Sequence, residues 1–345
     1  MDFTNASIKK IATHIVGNKL NEDGLKLTEE LSHIGDDTKE HVLNYFLNPF
    51  KIEEYHAFNN KVDINLNTVY NITKKIFSDN DDFIEYSKNI AKHLYEQATH
   101  PKIKIGELHV VYFNNCRIEN KTCDAIGVFK TETKDVFLKF LASNQHLEIE
   151  HDNGVALTKL DKGCIIFNTE EKKGYKVLVY DNNGKGEEAQ YWKNNFLSLT
   201  PCADEFHFTN NYLKITKDFV SKQLNEEFEV SKTDSIDMLN KSVGYFKVSE
   251  NFNEREFTKE VFNNPEVIES FKRFKNDYTQ EYDISLDDDF QISVPAVKKQ
   301  ARIFKSVLKL DKNFHVYIHG DKDLIEKGTD ENGRKFYKIY YNEES

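Results

Sequence analysis

The sequence has few of the residues that mark secreted, membrane-spanning or zinc-cage proteins. Its 345 residues include only four cysteines and no CxxC pair, which argues against a disulfide framework and a cysteine zinc cage and indicates reduced thiols. No window approaches the ~18 apolar residues of a transmembrane helix, and the amino terminus has no apolar stretch of signal-peptide length. We therefore expect a cytoplasmic protein with no membrane partner.

Positive charge is also scarce. The chain has 58 acidic and 47 basic residues, a net charge of -11, so most of its surface should repel phosphate and any contact with nucleic acid has to be a local patch. Proline is rare, with five residues against 26 phenylalanines and 17 tyrosines, which is typical of an ordered globular chain. The length predicts roughly two structural units.

The hydrophobic periodicity of residues 1–208 predicts an α+β domain with a mostly antiparallel sheet. An opening strand pair (8–16 and 25–28) precedes helices that start near Asp36 and Asn67, and a third helix has its apolar stripe from Phe83 to Ala98. Runs of β-branched and aromatic residues separated by short turns then predict antiparallel strands. These strands are expected at 107–113, 124–130, 135–141, 164–168 and 174–181.

Residues 209–345 are predicted to form a mainly helical domain, with the boundary near residue 208. Polar breaks separate helices expected at 211–225, 235–246, 256–262 and 266–278. A last helix, at about 296–310, leads into a small closing hairpin. We expect that hairpin to pair NFHVYIHG with RKFYKIYY across the turn Asp330 to Gly333.

Catalytic and cofactor motifs are missing from the sequence. It has no P-loop, HExxH, GxSxG or kinase set, and the glycine pair of Gly184-Lys185-Gly186 lacks the third glycine and the helix that a nucleotide site needs. One short segment contains the possible metal ligands His146, Glu148, Glu150 and His151. On a strand, their imidazole and carboxylate groups could point toward a metal. However, polar residues that alternate with Leu147 and Ile149 are typical of a solvent-facing strand edge. We expect no cofactor and no metal.

A metal-dependent nuclease is one hypothesis that stays open. Such an enzyme needs a carboxylate and a Glu-x-Lys triplet on neighbouring strands, so that two carboxylates hold the metal. Asp124, Glu132 and Lys134 fit this pattern, although such triplets also arise by chance in a chain with 30% charged residues.

The most concentrated basic segment lies near the carboxyl end. Lys298, Arg302, Lys305, Lys309 and Lys312 have the spacing of one stripe, roughly 80° wide, on a single helix. With Lys299 they are the candidate DNA-binding residues, because residues 295–310 contain no acid and a row of cations binds phosphates without reading sequence.

Two other observations bear on this basic stripe. The alternative interpretation is a solvated helix face that pairs with acids just upstream, such as Asp287, Asp288 and Asp289. A second basic cluster, formed by Lys272, Arg273 and Lys275, is interrupted by Glu269 and Asp277.

The order of segments resembles the bacterial 37-kDa nucleoid-associated protein family. The resemblance rests on IKKIATHIV, DDFIEYSKNIAKHLYEQA, IGELHVVYF, DAIGVFK with DVFLKF, and KSVLKLDKNFHVYIHG. It implies association with the nucleoid and binding to double-stranded DNA alongside other chromosome-handling proteins. Our first hypothesis is that the protein does this without enzymatic turnover. A protein-binding adaptor with an acidic surface and little DNA affinity is the main alternative, and homo-oligomerisation stays open.

Overall fold

The computed structural model describes residues 1–142, 146–182, 191–301, 304, 307–318 and 324–343. The chain forms two compact units, Met1–Cys202 (unit 1) and Ala203–Ser345 (unit 2). The predicted α+β class is confirmed. The expected boundary at residue 208 lies inside a helix that begins at Glu205.

Unit 1 is built on an eight-stranded antiparallel sheet. In chain order the described strands of unit 1 are β1 (Ser7–Val16), β2 (Leu25–Lys26), β3 (Tyr55–Phe58), β4 (Gly106–Ile118), β5 (Lys121–Thr131), β6 (Asp135–Ala142), β7 (Leu147–Gly154), β8 (Lys162–Phe167), β9 (Lys176–Asp181) and β10 (Leu199–Pro201). The sheet order is β10-β3-β9-β8-β5-β4-β1-β2, while β6 and β7 form a separate hairpin. All five strands predicted between 107 and 181 are present, and the one at 135–141 lies in the separate hairpin.

The sheet is covered on both faces, which explains the nearly continuous apolar runs of its central strands. Helices α2 (Thr68–Ser78) and α3 (Phe83–Gln97) pack on one face with Val110, and α1 (Lys39–Leu47) packs on the other with Val111. The predicted stripe of α3 is buried, and the side chain of Asn67 caps α2 by accepting a hydrogen bond from the Tyr70 N–H at 2.9 Å.

Unit 2 is mainly helical, with an aromatic core. Helix α4 (Glu205–Asp218) continues through a π-helical segment (Phe219–Gln223) into α5 (Leu224–Glu227), and α6 (Lys232–Val248), α7 (Glu254–Phe262), α8 (Pro265–Glu281) and α9 (Val294–Ala301) follow. Small two-stranded sheets pair β11 (Asn251–Asn253) with β12 (Asp289–Gln291), β13 (Val307–Leu310) with β14 (Phe314–Tyr317), and β15 (Ile325–Thr329) with β16 (Lys335–Ile339). Edge-on and tilted ring contacts among Phe219, Phe252, Phe257, Phe262 and Phe271 hold the helices together.

Two predictions for the carboxyl-terminal region are wrong. The helix expected at 296–310 ends at Ala301, and 307–310 is strand β13, because Leu308 and Leu310 point inward with Lys309 between them, the period of a strand. The segment NFHVYIHG therefore pairs with β13, and the strand of RKFYKIYY pairs with β15. The turn at Asp330 to Gly333 is confirmed, with Gly333 at a φ of 78°.

Candidate nucleic-acid interface

Helix α9 carries Lys298 and Lys299 and is fixed to α4. Its Ala296 and Val297 are buried, and the amide of Gln300 donates a hydrogen bond to the side-chain oxygen of Asn210 at 2.7 Å. Lys298 is on the exposed side of this helix, so it is free to meet solvent or a polyanion.

Lys299 is held differently from its neighbour. Its ammonium lies 5.4 Å from the centre of the Phe206 ring, and the side chain is half-buried. This cation–π contact combines electrostatic attraction with packing of the aliphatic stem. Lys299 therefore links α9 to α4 as well as contributing positive charge.

Lys309 and Lys312 lie on the hairpin β13–β14. Leu308 and Ile318 are buried beside Ile236 of α6, so Lys309, the next residue along the strand after Leu308, points away from that cluster and is exposed. Lys312 is exposed in the turn at 311–313.

The prediction that the candidate cations form one stripe on a single helix is therefore wrong. Among the described residues, helix α9 carries Lys298 and Lys299, whereas Lys309 and Lys312 belong to a hairpin. The other two candidates, Arg302 and Lys305, lie outside the described residues. Two elements of unit 2, rather than one helix face, present the candidate cations.

Three of the candidate lysines have no carboxylate partner among the described residues. Among the described residues, Lys298, Lys309 and Lys312 form no ion pair. The acids of the alternative interpretation are engaged elsewhere, because Asp288 accepts hydrogen bonds from Lys275 at 2.9 Å and from the Tyr212 hydroxyl at 2.6 Å. Asp289 accepts one from the Asn253 amide at 2.5 Å.

The second basic cluster is dispersed by the fold. Arg273 lies 3.4 Å from the Glu227 carboxylate, and Lys275 is turned into the protein with a side chain only 11% exposed. Lys272 and Arg273 are both exposed, but Arg273 is already paired with Glu227. The cluster therefore does not form a phosphate-binding row.

Lys275 is the centre of a polar network. Its ammonium pairs with Glu254 and with Asp288 and lies 3.3 Å from the Tyr212 hydroxyl. Burial raises the pKa of Glu254, against the effect of Lys275. Burial also opposes the charged form of Lys275, but hydrogen bonds to Asp288 and Glu254 keep its pKa above the usual value. The network joins α4, α7 and α8 to the segment before β12.

An open cavity of about 370 Å³ borders this network. Its walls are polar and of both charge signs, and they are formed by Asn253, Glu254, Arg255, Lys272, Lys275, Asn276, Asp288 and Asp289. Since the acids and Lys275 satisfy one another, the arrangement serves the stability of unit 2. Elsewhere too, within the described residues, no group of three or more His, Cys, Asp or Glu side chains could hold a metal ion.

The three residues of the nuclease hypothesis are also separated. Asp124 accepts a hydrogen bond from the Tyr112 hydroxyl at 2.7 Å, Glu132 pairs with Lys130 at 2.9 Å, and Lys134 pairs with Glu107 at 2.6 Å. Asp124 and Glu132 are eight residues apart along extended chain, a distance of about 26 Å. They cannot share one metal ion, so this triplet does not form a nuclease site.

A comparison with protein families agrees with the resemblance seen in the order of the sequence segments. The family model described as nucleoid-associated protein YejK matches residues 13–345. A search of curated proteins finds no match. Within the described parts of the chain, no helix combines the length and the apolar character needed to cross a bilayer.

Proposed function

Because the chain belongs to the family of nucleoid-associated protein YejK, we propose that it binds duplex DNA without sequence preference through exposed lysines of unit 2. The family supports a nucleoid-associated role, and the lysines supply a physical means of contact. The proposed role is architectural, with no chemical turnover of the DNA. Chromosome-handling proteins are further proposed partners in the nucleoid.

One observation carries the DNA proposal. Lys298, Lys309 and Lys312 are exposed and form no ion pair among the described residues, in a chain whose net charge is -11. An unpaired lysine can neutralise a phosphate and release a condensed counterion, which adds affinity that does not depend on base sequence. A lysine already held by a carboxylate would first have to break that pair.

Reversing these three charges should weaken DNA binding. We expect the triple variant Lys298→Glu, Lys309→Glu, Lys312→Glu to lose affinity for duplex DNA by on the order of 100-fold at 0.1 M salt. The loss should be the same for unrelated sequences. The slope of log K against log salt should become shallower by about 2.7, or about 0.9 for each lost phosphate contact. Fluorescence anisotropy across a salt series measures both quantities.

A matched control separates local contacts from net charge. Lys61, Lys102 and Lys121 of unit 1 are exposed and form no ion pair among the described residues, and their replacement by glutamate changes the net charge by the same amount. We expect this control to keep most of the affinity and the original salt slope. Equal losses in both triples, or no loss in either, would contradict the proposed surface.

Two further outcomes concern the rival hypotheses. Cleavage of duplex DNA by the purified protein with magnesium or manganese would contradict the absence of turnover. A wild-type protein with no measurable DNA affinity at physiological salt, but with a chromosomal protein retained on it, would replace DNA binding by the adaptor hypothesis.

A further inference from the structure

The hairpin β6–β7, here called the arm, is not part of the large sheet. All its described residues between Asp135 and Asn153 are exposed. Residues directly opposite each other on paired strands share a face. The register places Phe140 opposite Ile149 and Leu138 opposite His151, so the two faces of the arm can be assigned residue by residue.

One face of the arm is apolar. It carries five large side chains that are each 60–66% exposed, namely Val136, Leu138, Phe140, Leu147 and Ile149. Ala142, His151 and Asn153 complete it, so it has no carboxylate, lysine or arginine among the described residues. We call this surface the apolar arm face.

The opposite face is charged. Lys139 pairs with Asp152 at 2.5 Å, and Glu148 and Glu150 lie on the same side. Phe137 is also there, but its ring lies against Gly154 and close to the Lys139 ammonium. The arm therefore has the pattern of a sheet with one solvated face and one face that normally packs.

The root of the arm is rigidly anchored. Asp161, which is 1% exposed, accepts hydrogen bonds from the backbone N–H groups of Glu132 and Thr133 at 2.7 and 2.8 Å and from the Thr133 hydroxyl at 2.8 Å. Both N–H donors lie between β5 and β6, where the chain leaves the large sheet. The point where the arm leaves the large sheet is thus tied down by hydrogen bonds to a buried carboxylate.

The exposed area is large enough for a specific contact. The five side chains leave about 600 Å² accessible, at the upper end for the largest apolar patch of a monomeric protein. Two such faces in contact would cover about 1,200 Å², the lower limit of specific protein interfaces. A contact of this size suits a reversible, self-complementary dimer.

Charge decides between the candidate partners. Residues 135–154 contain four acids and one lysine, so the arm lacks the cations that a DNA-binding ribbon needs. Two chains of charge -11 repel each other, so a contact between them is opposed least where both surfaces lack carboxylates. The apolar arm face is such a surface, and it can be matched by an identical face across a two-fold axis.

We infer that the apolar arm face is a homodimer contact, in which the arms of two chains pack face to face as two layers about 10 Å apart. The charged faces then stay in water on both outer sides. The dimer brings two copies of the DNA-binding surface together, so it could bridge separate duplexes. The dimer itself does not depend on DNA binding.

Two adjacent residues of β6 give a matched test. Phe140 lies on the apolar arm face and Leu141 on the charged face, and both are exposed. Sedimentation velocity of the full chain between 1 and 100 µM is expected to show a monomer–dimer equilibrium. Phe140→Lys should raise the dimer dissociation constant at least tenfold, whereas Leu141→Lys, with the same change in charge, should leave it unchanged.

A second variant and a folding control complete the test of the dimer. Ile149→Glu, on the partner strand, should act like Phe140→Lys, and buried Trp192 reports by its fluorescence that unit 1 is folded in each variant. A wild-type chain that stays monomeric at 100 µM, or equal effects at Phe140 and Leu141, would overturn the dimer. Monomeric Phe140→Lys should keep the salt slope per chain, so loss of the DNA surface and loss of the dimer are distinguishable.

Discussion

Replacement of Lys275 by alanine is expected to lower the free energy of unfolding of unit 2 by about 3–5 kcal/mol, the usual cost of leaving a buried charge without its partner. Glu254, whose side chain is 10% exposed, would lose its cation and remain beside Asp288. Two carboxylates in contact without a cation repel each other, and burial disfavours the charge of Glu254 further. The loss of stability is large because Glu254 and Asp288 remain in place with no cation to balance their charges.

The measurement uses the fact that the only tryptophan, Trp192, is buried in unit 1. Far-UV circular dichroism should show that the helical unit unfolds at lower temperature or denaturant, while the transition of Trp192 fluorescence stays in place. Lys272→Ala, three residues earlier on the same helix and exposed, is the control and should change stability by less than about 0.5 kcal/mol. The double variant Lys275→Met, Glu254→Gln should recover much of the loss. Wild-type stability of Lys275→Ala would show that the network contributes little.

Unit 1 should lose stability as the pH falls from 6.5 to 5. Burial lowers the pKa of both His14 and His109 to about 4, and the nearby Lys88 acts in the same direction on His14. Well above pH 6.5 both residues are neutral in the folded and unfolded chains. As the pH falls through 6.5, these histidines become protonated in the unfolded chain, whereas in the folded chain they stay neutral until about pH 4. At pH 5 this difference costs about 2 kcal/mol for each histidine.

The hydrogen bonds of His14 explain why it resists protonation. The Ser87 hydroxyl donates to the Ile84 carbonyl at 2.7 Å, so the His14 Nε2–H donates to the Ser87 oxygen at 2.9 Å. Nδ1 then accepts from the Thr28 N–H at 3.2 Å. A proton on Nδ1 would place two donors against each other and break that bond.

Denaturant unfolding followed by Trp192 fluorescence tests this pH dependence. We expect the stability of unit 1 to fall by about 3 kcal/mol between pH 6.5 and 5, and His14→Gln to remove about half of this dependence. His33, which is exposed, provides the control, since His33→Gln should leave the dependence unchanged. A flat profile, or an equal effect of both substitutions, would contradict the assignment.

The elements that the sequence predicted well are those in which local pattern and burial agree. The stripe of α3 is amphipathic over 15 residues, and the central strands are apolar on both sides because helices cover both faces of the sheet. The predicted basic helix failed for the opposite reason. The cations at 298, 309 and 312 match a helical spacing, but charged side chains on a surface do not determine the backbone, and the inward alternation of Leu308 and Leu310 produced a strand.

Some residues of the candidate site could be identified from the sequence and others could not. Lys298 was identified from sequence because it lies in an acid-free segment, and the structure leaves it exposed. Nothing local distinguishes buried Lys275 from exposed Lys272, because burial depends on Glu254 and Asp288, which are distant along the chain. The apolar arm face could not be recognised either, since the apolar run around Phe140 and the alternation of Ile149 with Glu148 and Glu150 also occur in strands packed on a core.

The sequence alone determined the α+β class, the order of most helices and strands, and the family resemblance, because these depend on hydrophobic periodicity and on turn residues that act locally. Only the tertiary structure decided which lysines are exposed, which carboxylates are already paired, and which apolar strand face is left uncovered. Exposure and pairing depend on contacts between residues far apart in the chain, and a charge or an apolar side chain has the same local sequence whether or not its partner is present.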